Sequence, residues 1–350
     1  MPNLNQHQRS KFRIALFVST FLFISCEDNP LKQVDVSEEK IELNTLRLDR
    51  DVFNIEFSKP AEERKRLQGK YGSFWCEYVE GILQAGPCAD DSTVTLLNMF
   101  VIDPYMKEAY EGITSAHTDE KIAPVDTELE EAFKYYHHYF PDSLIPQVVY
   151  FHSGLNFGIY PTDSVLAIGL DFYLGPENEL VQSLPVEIFP LYGRENMKAQ
   201  FMASDAMKGW LLVHNQHHFR MNDLLNTICS YGKCYYLLDA MMPHTPDSIK
   251  MNWTALETEW AEKNEANTWK ELAKQEVLFE TKEFEIKKWI DDGPFTNTGA
   301  IPQDSPPQLG IWMGLQIVRD YMKAHPETTL AQLMTNYNFQ TMLRDYRADK

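Results

Sequence analysis

The residues best placed to do chemistry stand in Trp210-Leu-Leu-Val-His-Asn-Gln-His-His-Phe219. His214 and His218 are four apart, and on a helix that spacing points two side chains the same way. They fall in line with Leu211, Met221 and Leu225, which puts the pair on the buried apolar stripe of the predicted helix. Two inward imidazoles at i, i+4 are the grip by which an H-E-x-x-H helix holds zinc, its glutamate taking a proton from metal-bound water. Here the motif reads His214-Asn215-Gln216-His217-His218. Asn215 stands where the general base belongs, and an amide has no basic site at neutral pH. The plain alternative, a helix that carries several histidines and no metal, is what these residues favour by themselves.

Cysteine offers the second set of reactive groups. Cys26 follows a basic stretch (Arg9, Lys11, Arg13), the apolar run Ile14–Ile24 and the small residue Ser25. That order is a bacterial export signal, and a cysteine directly after the small residue points to signal peptidase II cleavage and lipidation of the Cys26 thiol. The apolar run is too short to span a bilayer. Residues 1–25 are therefore expected to be a lipoprotein signal peptide, and the mature chain to be tethered outside the cytoplasm. In that oxidising setting Cys76 and Cys88, with Gly81, Gly86 and Pro87 between them, can close a disulfide or remain two thiols. Cys229 and Cys234 lie on poorly aligned faces of a predicted helix and read as small buried hydrophobes.

The elements that must position these groups are mostly helical. Residues 26–45 are polar and read as a tether, and 46–350 as a single α+β domain. The stretch to about residue 140 has helical periodicity, with Leu96, Leu97, Phe100 and Val101 among its apolar positions. Two β-branched or aromatic runs, Gln147–Ser153 and Ser164–Leu170, predict a small central sheet. The helical period returns near residue 195 and persists, broken by a Pro/Gly/Asn-rich loop at 291–307 and again near Pro326. Gly310 and Gly314 mark close helix packing on the helix predicted over 309–323.

The composition narrows the partners. The formal charge is −19, and removing residues 1–25 takes away three basic and no acidic side chains, leaving −22. So acidic a chain does not bind nucleic acid by neutralising phosphates. A negatively charged membrane repels it too, so attachment rests on the lipid. At 44% hydrophobic and 13% aromatic, the chain can bury a large core.

Several segments together resemble the gliding-motility lipoprotein family GldB of the Bacteroidota. They are Asp171–Gly175, Tyr231–Asp239 with Met242-Pro243, Asn264–Trp269, Gly293-Pro-Phe295 and, longest, Asp304–Met322. The resemblance implies a cell-envelope lipoprotein of the motility apparatus that binds other envelope proteins and reaches the membrane through its N-terminal lipid. That family in turn resembles zincin-like zinc proteases, whose core is a strand hairpin, an H-E-x-x-H helix and a later helix bearing Glu-Gly as the third ligand. Laid on this chain, the hairpin is 147–170, the histidine helix is 205–220, and Tyr231-Gly232 replaces Glu-Gly. His214, Asn215, His218 and Tyr231 would then be a vestigial metal-like site without base or third ligand. The expectation is a non-enzymatic pseudoenzyme of zincin-like plan with no cofactor. The alternative is a zinc hydrolase using His214, His218 and an acidic ligand from elsewhere, such as Glu265.

Overall fold

The computed structural model describes residues 29–274 and 277–348. The expected signal peptide and Cys26 lie outside the described residues. The chain divides into two units, Met1–Val34 and Asp35–Lys350. In the first, Pro30–Gln33 forms a 3₁₀ turn opened by Asn29, whose Oδ1 accepts from the Leu31 N–H at 3.0 Å. Everything below concerns the second.

Its sheet has four strands: β1 (Thr45–Arg47), β2 (Gln147–Phe151), β3 (Ile159–Pro161) and β4 (Val165–Gly169). Their order is β1-β2-β4-β3, with β1 and β4 parallel to β2 and β3 antiparallel to β4 at one edge. The expected hairpin at 147–170 is thus corrected. Its two long strands run side by side in the same direction, and the short β3 makes the reversal. Nearly every side chain of β2 and β4 is buried, as expected of parallel strands covered on both faces. Val149, Phe151, Val165 and Ala167 face one core with Leu48, Phe74, Trp75 and Tyr78. On the next position along β2, Tyr150 donates its hydroxyl to Asp126 at 2.7 Å.

The principal helices are α1 (Leu48–Phe53), α2 (Pro60–Tyr71), α3 (Asp91–Ile102), α4 (Pro104–Ala116), α5 (Asp119–Tyr139), α6 (Met202–Asn215), α7 (Leu224–Met241), α8 (Glu283–Ile290), α9 (Leu309–Ala324) and α10 (Leu330–Thr335). Their starts are written in the sequence. Asp90, Asp103 and Asp223 accept hydrogen bonds from the first-turn N–H groups of α3, α4 and α7, satisfying donors that a helix leaves unpaired. α9 has no such cap at Gln308. The buried Thr296 substitutes, its Oγ1 accepting from the Leu309 N–H at 3.1 Å and donating to the Pro306 carbonyl at 2.8 Å.

α7 and α9 cross at glycines. A Cβ on Gly314 would lie 1.9 Å from the Ile228 carbonyl oxygen, and one on Gly232 would lie 2.3 Å from Gly314. Further along the same pair, Arg319 of α9 grips Asp247 with two bonds of 2.7 Å and donates to Asp239 of α7 at 2.8 Å. The buried Lys250 donates to the same Asp239 at 2.8 Å. A disulfide joins Cys76 to Cys88 in the segment leading to α3, and Cys229 and Cys234 are free and buried in α7.

Candidate functional site

The histidine helix ends earlier than its sequence suggests. α6 stops at Asn215, whose backbone (φ −110°, ψ 3°) leaves helical geometry, and Gln216–His218 continue as a 3₁₀ turn. A 3₁₀ turn advances faster per residue than an α-helix, so the i, i+4 alignment of His214 and His218 is lost. The side chains reinforce the stop: His214 Nδ1 pairs with the Trp210 carbonyl and Asn215 Nδ2 with that of Leu211, both at 2.9 Å. Such contacts give the chain an alternative to continued helix. The expected stripe is corrected with it, since His214 and His218 are both partly exposed and Met221 is exposed.

The four expected site residues therefore have separate surroundings. His214 lies against the Trp210 ring with centroids 3.7 Å apart. His218 Nδ1 meets the Tyr337 hydroxyl at 2.9 Å, and its ring lies 3.9 Å from that of His217. Tyr231 packs edge-on to Phe219. Burial pushes the Tyr231 phenol above its ordinary pKa, away from the ionised form a metal would need. Among the described residues, the one group of three or more His, Cys, Asp and Glu side chains with converging ligand atoms is Cys76, Glu80 and Cys88, and its two sulfurs are bonded to each other. Glu265, the candidate replacement ligand, instead accepts from the Tyr346 hydroxyl at 2.9 Å.

A different part of α6 faces a cleft. Gly209 rides on edge strand β3, where a Cβ would come within 2.7 Å of the Ile159 side chain. That close approach sets the adjacent Lys208 at the meeting of two chambers of about 310 and 370 Å³, with Asp205, one turn earlier, in the wall of the first. Gly158, Ile159, Phe172 and Tyr173 line the first, and Tyr231, Tyr235, Asn252 and Gln308 line the second. The Lys208 ammonium finds three oxygens: Asp205 Oδ1 at 2.9 Å, Asn252 Oδ1 at 2.6 Å and the Lys250 carbonyl at 3.2 Å. The other Asp205 oxygen accepts from Tyr173 and from Asn252, each at 3.2 Å. Burial opposes the lysine charge, but Asp205, with Tyr235 and Asp292, together outweigh it and hold the Lys208 pKa above its ordinary value. Burial, then Asp205, drives the Tyr173 phenol well above its usual pKa. Asp205 and Lys208 are answered by each other and by their neighbours. Asp292, which also lines the second chamber, accepts among the described residues only from the Gly293 N–H at 2.9 Å, and burial raises its pKa.

Sequence reasoning missed this cleft. Its available signals were the i, i+3 pair Asp205/Lys208 and the i, i+4 pair Tyr231/Tyr235, spacings that place side chains together on a helix. They carry no chemistry until segments far apart in sequence converge on them.

A small mixed sheet wrapped by helices, with a cleft whose lysine is held by its neighbours, defines a mostly helical α+β protein. The sequence model of the family described as gliding motility protein GldB matches residues 29–347, and the chain belongs to that family. It is thus a gliding-motility lipoprotein, anchored to a membrane of the cell envelope. No described helix is long and apolar enough to cross a membrane. No curated protein and no solved structure matches the chain.

Proposed function

We propose that the chain works without catalysis, as a binding member of the motility apparatus that engages another envelope protein through α3. The observation that carries this reading is the face α3 turns to solvent. No charged residue stands between Ser92 and Ile102. Val94 and Leu97 are buried on the inner face, while Leu96, Met99, Ile102 and the neighbouring Tyr105 are 46, 69, 64 and 66% exposed. A helix apolar on both faces is suited to cover on both, and contiguous exposed apolar surface marks an interaction site. Asp90, Asp91, Asp103, Glu108 and Glu111 flank it in sequence beside Lys107, and of these acids Asp91 is paired with Arg64 at 2.5 Å. The fitting partner is a protein segment with an apolar stripe and basic flanks; an anionic lipid surface would be repelled.

The remaining features of the reading concern the cleft side. His214, Asn215, His218 and Tyr231 are a remnant of a zincin-like site that has lost its base and third ligand, with its members dispersed to other bonds. One observation favours the zinc-hydrolase alternative: His214 Nε2 is buried without a partner among the described residues, an unused ligand atom. Colony spreading in the source bacterium, with the gene deleted and restored as variants, separates the two. Met99→Glu with Ile102→Glu should abolish spreading while purified protein melts as wild type does. His214→Ala with His218→Ala should spread normally. The reverse pattern, with stoichiometric zinc in wild type that this double variant loses, would overturn the proposal and establish the hydrolase.

A further inference from the structure

We propose that the second chamber of the cleft is a saccharide site, shaped for a neutral sugar unit bearing hydroxyl and acetamido groups. The inference is independent of the α3 surface and rests on four observations about one cavity.

The first concerns charge. The chamber offers no free cation, and its one carboxylate, Asp292, accepts among the described residues only from the neighbouring Gly293 N–H at 2.9 Å, which leaves acceptor oxygen for a hydroxyl. Lys208, the one cation in the lining, already has its three oxygen acceptors, so it has no donor left for a phosphate or carboxylate. The second is the supply of neutral polar groups. Asn196 and Gln308 both line the chamber, and neither side chain makes a hydrogen bond among the described residues. Each carboxamide offers a carbonyl acceptor and two N–H donors, the mixed set that a hydroxyl or acetamido group answers.

The third observation is backbone strain gathered in one place. Among the described residues, four other than glycine have positive φ, and two of them, Asn252 (56°) and Gln308 (58°), line this chamber. Asparagine tolerates that conformation; glutamine does so poorly. Glycine would occupy position 308 with less strain, so keeping a carboxamide there points to a use for it. The fourth is the wall. Tyr231 and Tyr235 stand one turn apart on α7 and contribute two amphipathic rings to a cavity of about 370 Å³, within the range of small-ligand sites. An extended peptide asks instead for a row of free main-chain partners, and this lining is built of side chains and helix ends.

The test uses the full-length chain in detergent with N,N′-diacetylchitobiose as the probe, read by saturation-transfer NMR and calorimetry. Wild type should bind at millimolar concentrations or below. Gln308→Gly, which keeps the left-handed backbone and deletes the amide, should weaken binding about ten-fold, as should Asn196→Ala. Met99→Glu, on the distant α3 face, should leave the affinity unchanged. Absence of any transfer to the disaccharide would overturn the proposal, and so would binding indifferent to both chamber variants. Trialanine is run in parallel. Binding of that peptide, sensitive to Gln308→Gly, in place of the sugar would also overturn it and define a peptide site.

Discussion

Lys233 shows what a single side chain can cost and control. It sits fully buried in α7, where its ammonium donates to the carbonyls of Met334 at 2.9 Å and Asn336 at 3.1 Å, beside the Tyr337 and Phe339 rings. These carbonyls close the C-terminal end of α10, so the lysine caps it. No carboxylate among the described residues meets the charge, and burial lowers its pKa from 10.5 to about 8. A lysine depressed in the folded state binds its proton more tightly when unfolded. Its charge therefore penalises folding fully below about pH 8, and that penalty fades as pH rises toward 10.5. The expected outcome is that wild type gains stability relative to Lys233→Met between pH 7.5 and 10, read as a shift in urea midpoints. A difference that stays flat with pH would contradict it.

At the scale of elements, the α7–α9 crossing is the contact with least slack. Gly314→Ala drives a methyl into the Ile228 carbonyl, so backbone must move, and overpacking of this kind costs about 1–3 kcal/mol or more. A melting temperature several degrees below wild type is expected, with Gly314→Leu lower still. An unchanged value would place the helices farther apart than described. This contact was legible from Gly310 and Gly314 on a periodic apolar segment, as were β2 and β4 from their β-branched runs. β3 was not, because three residues are too few to show alternation; the alternating run 46–53 touched β1, but most of it folds as α1. The end of α6 was also hidden. No glycine or proline follows Asn215 until Gly232, so the usual stop signals were missing and the pattern invited a longer helix that aligned two histidines. The cleft was unreadable for a different reason. Its lining comes from segments between residues 158 and 311, and the left-handed backbone at Gln308 has no sequence signature.

At the scale of the whole molecule, attachment and acidity work together. Cys26→Ala should leave the precursor uncleaved by signal peptidase II and unlabelled by palmitate; continued labelling would assign the lipid elsewhere. So acidic a chain is repelled by an anionic bilayer, which leaves attachment to the lipid. The disulfide adds a dimension of time. The cytoplasm keeps thiols reduced, so the Cys76–Cys88 link can close only after the chain has left it. At that moment the mature chain presents an oxidising machinery with several candidate thiols. Folding sorts them. Burial raises Cys229 and Cys234 to about 12, leaving almost no thiolate to attack a disulfide, while the lipid is expected to occupy Cys26. One pair is then left to oxidise, and the chain arrives at its correct crosslink by withholding every wrong one.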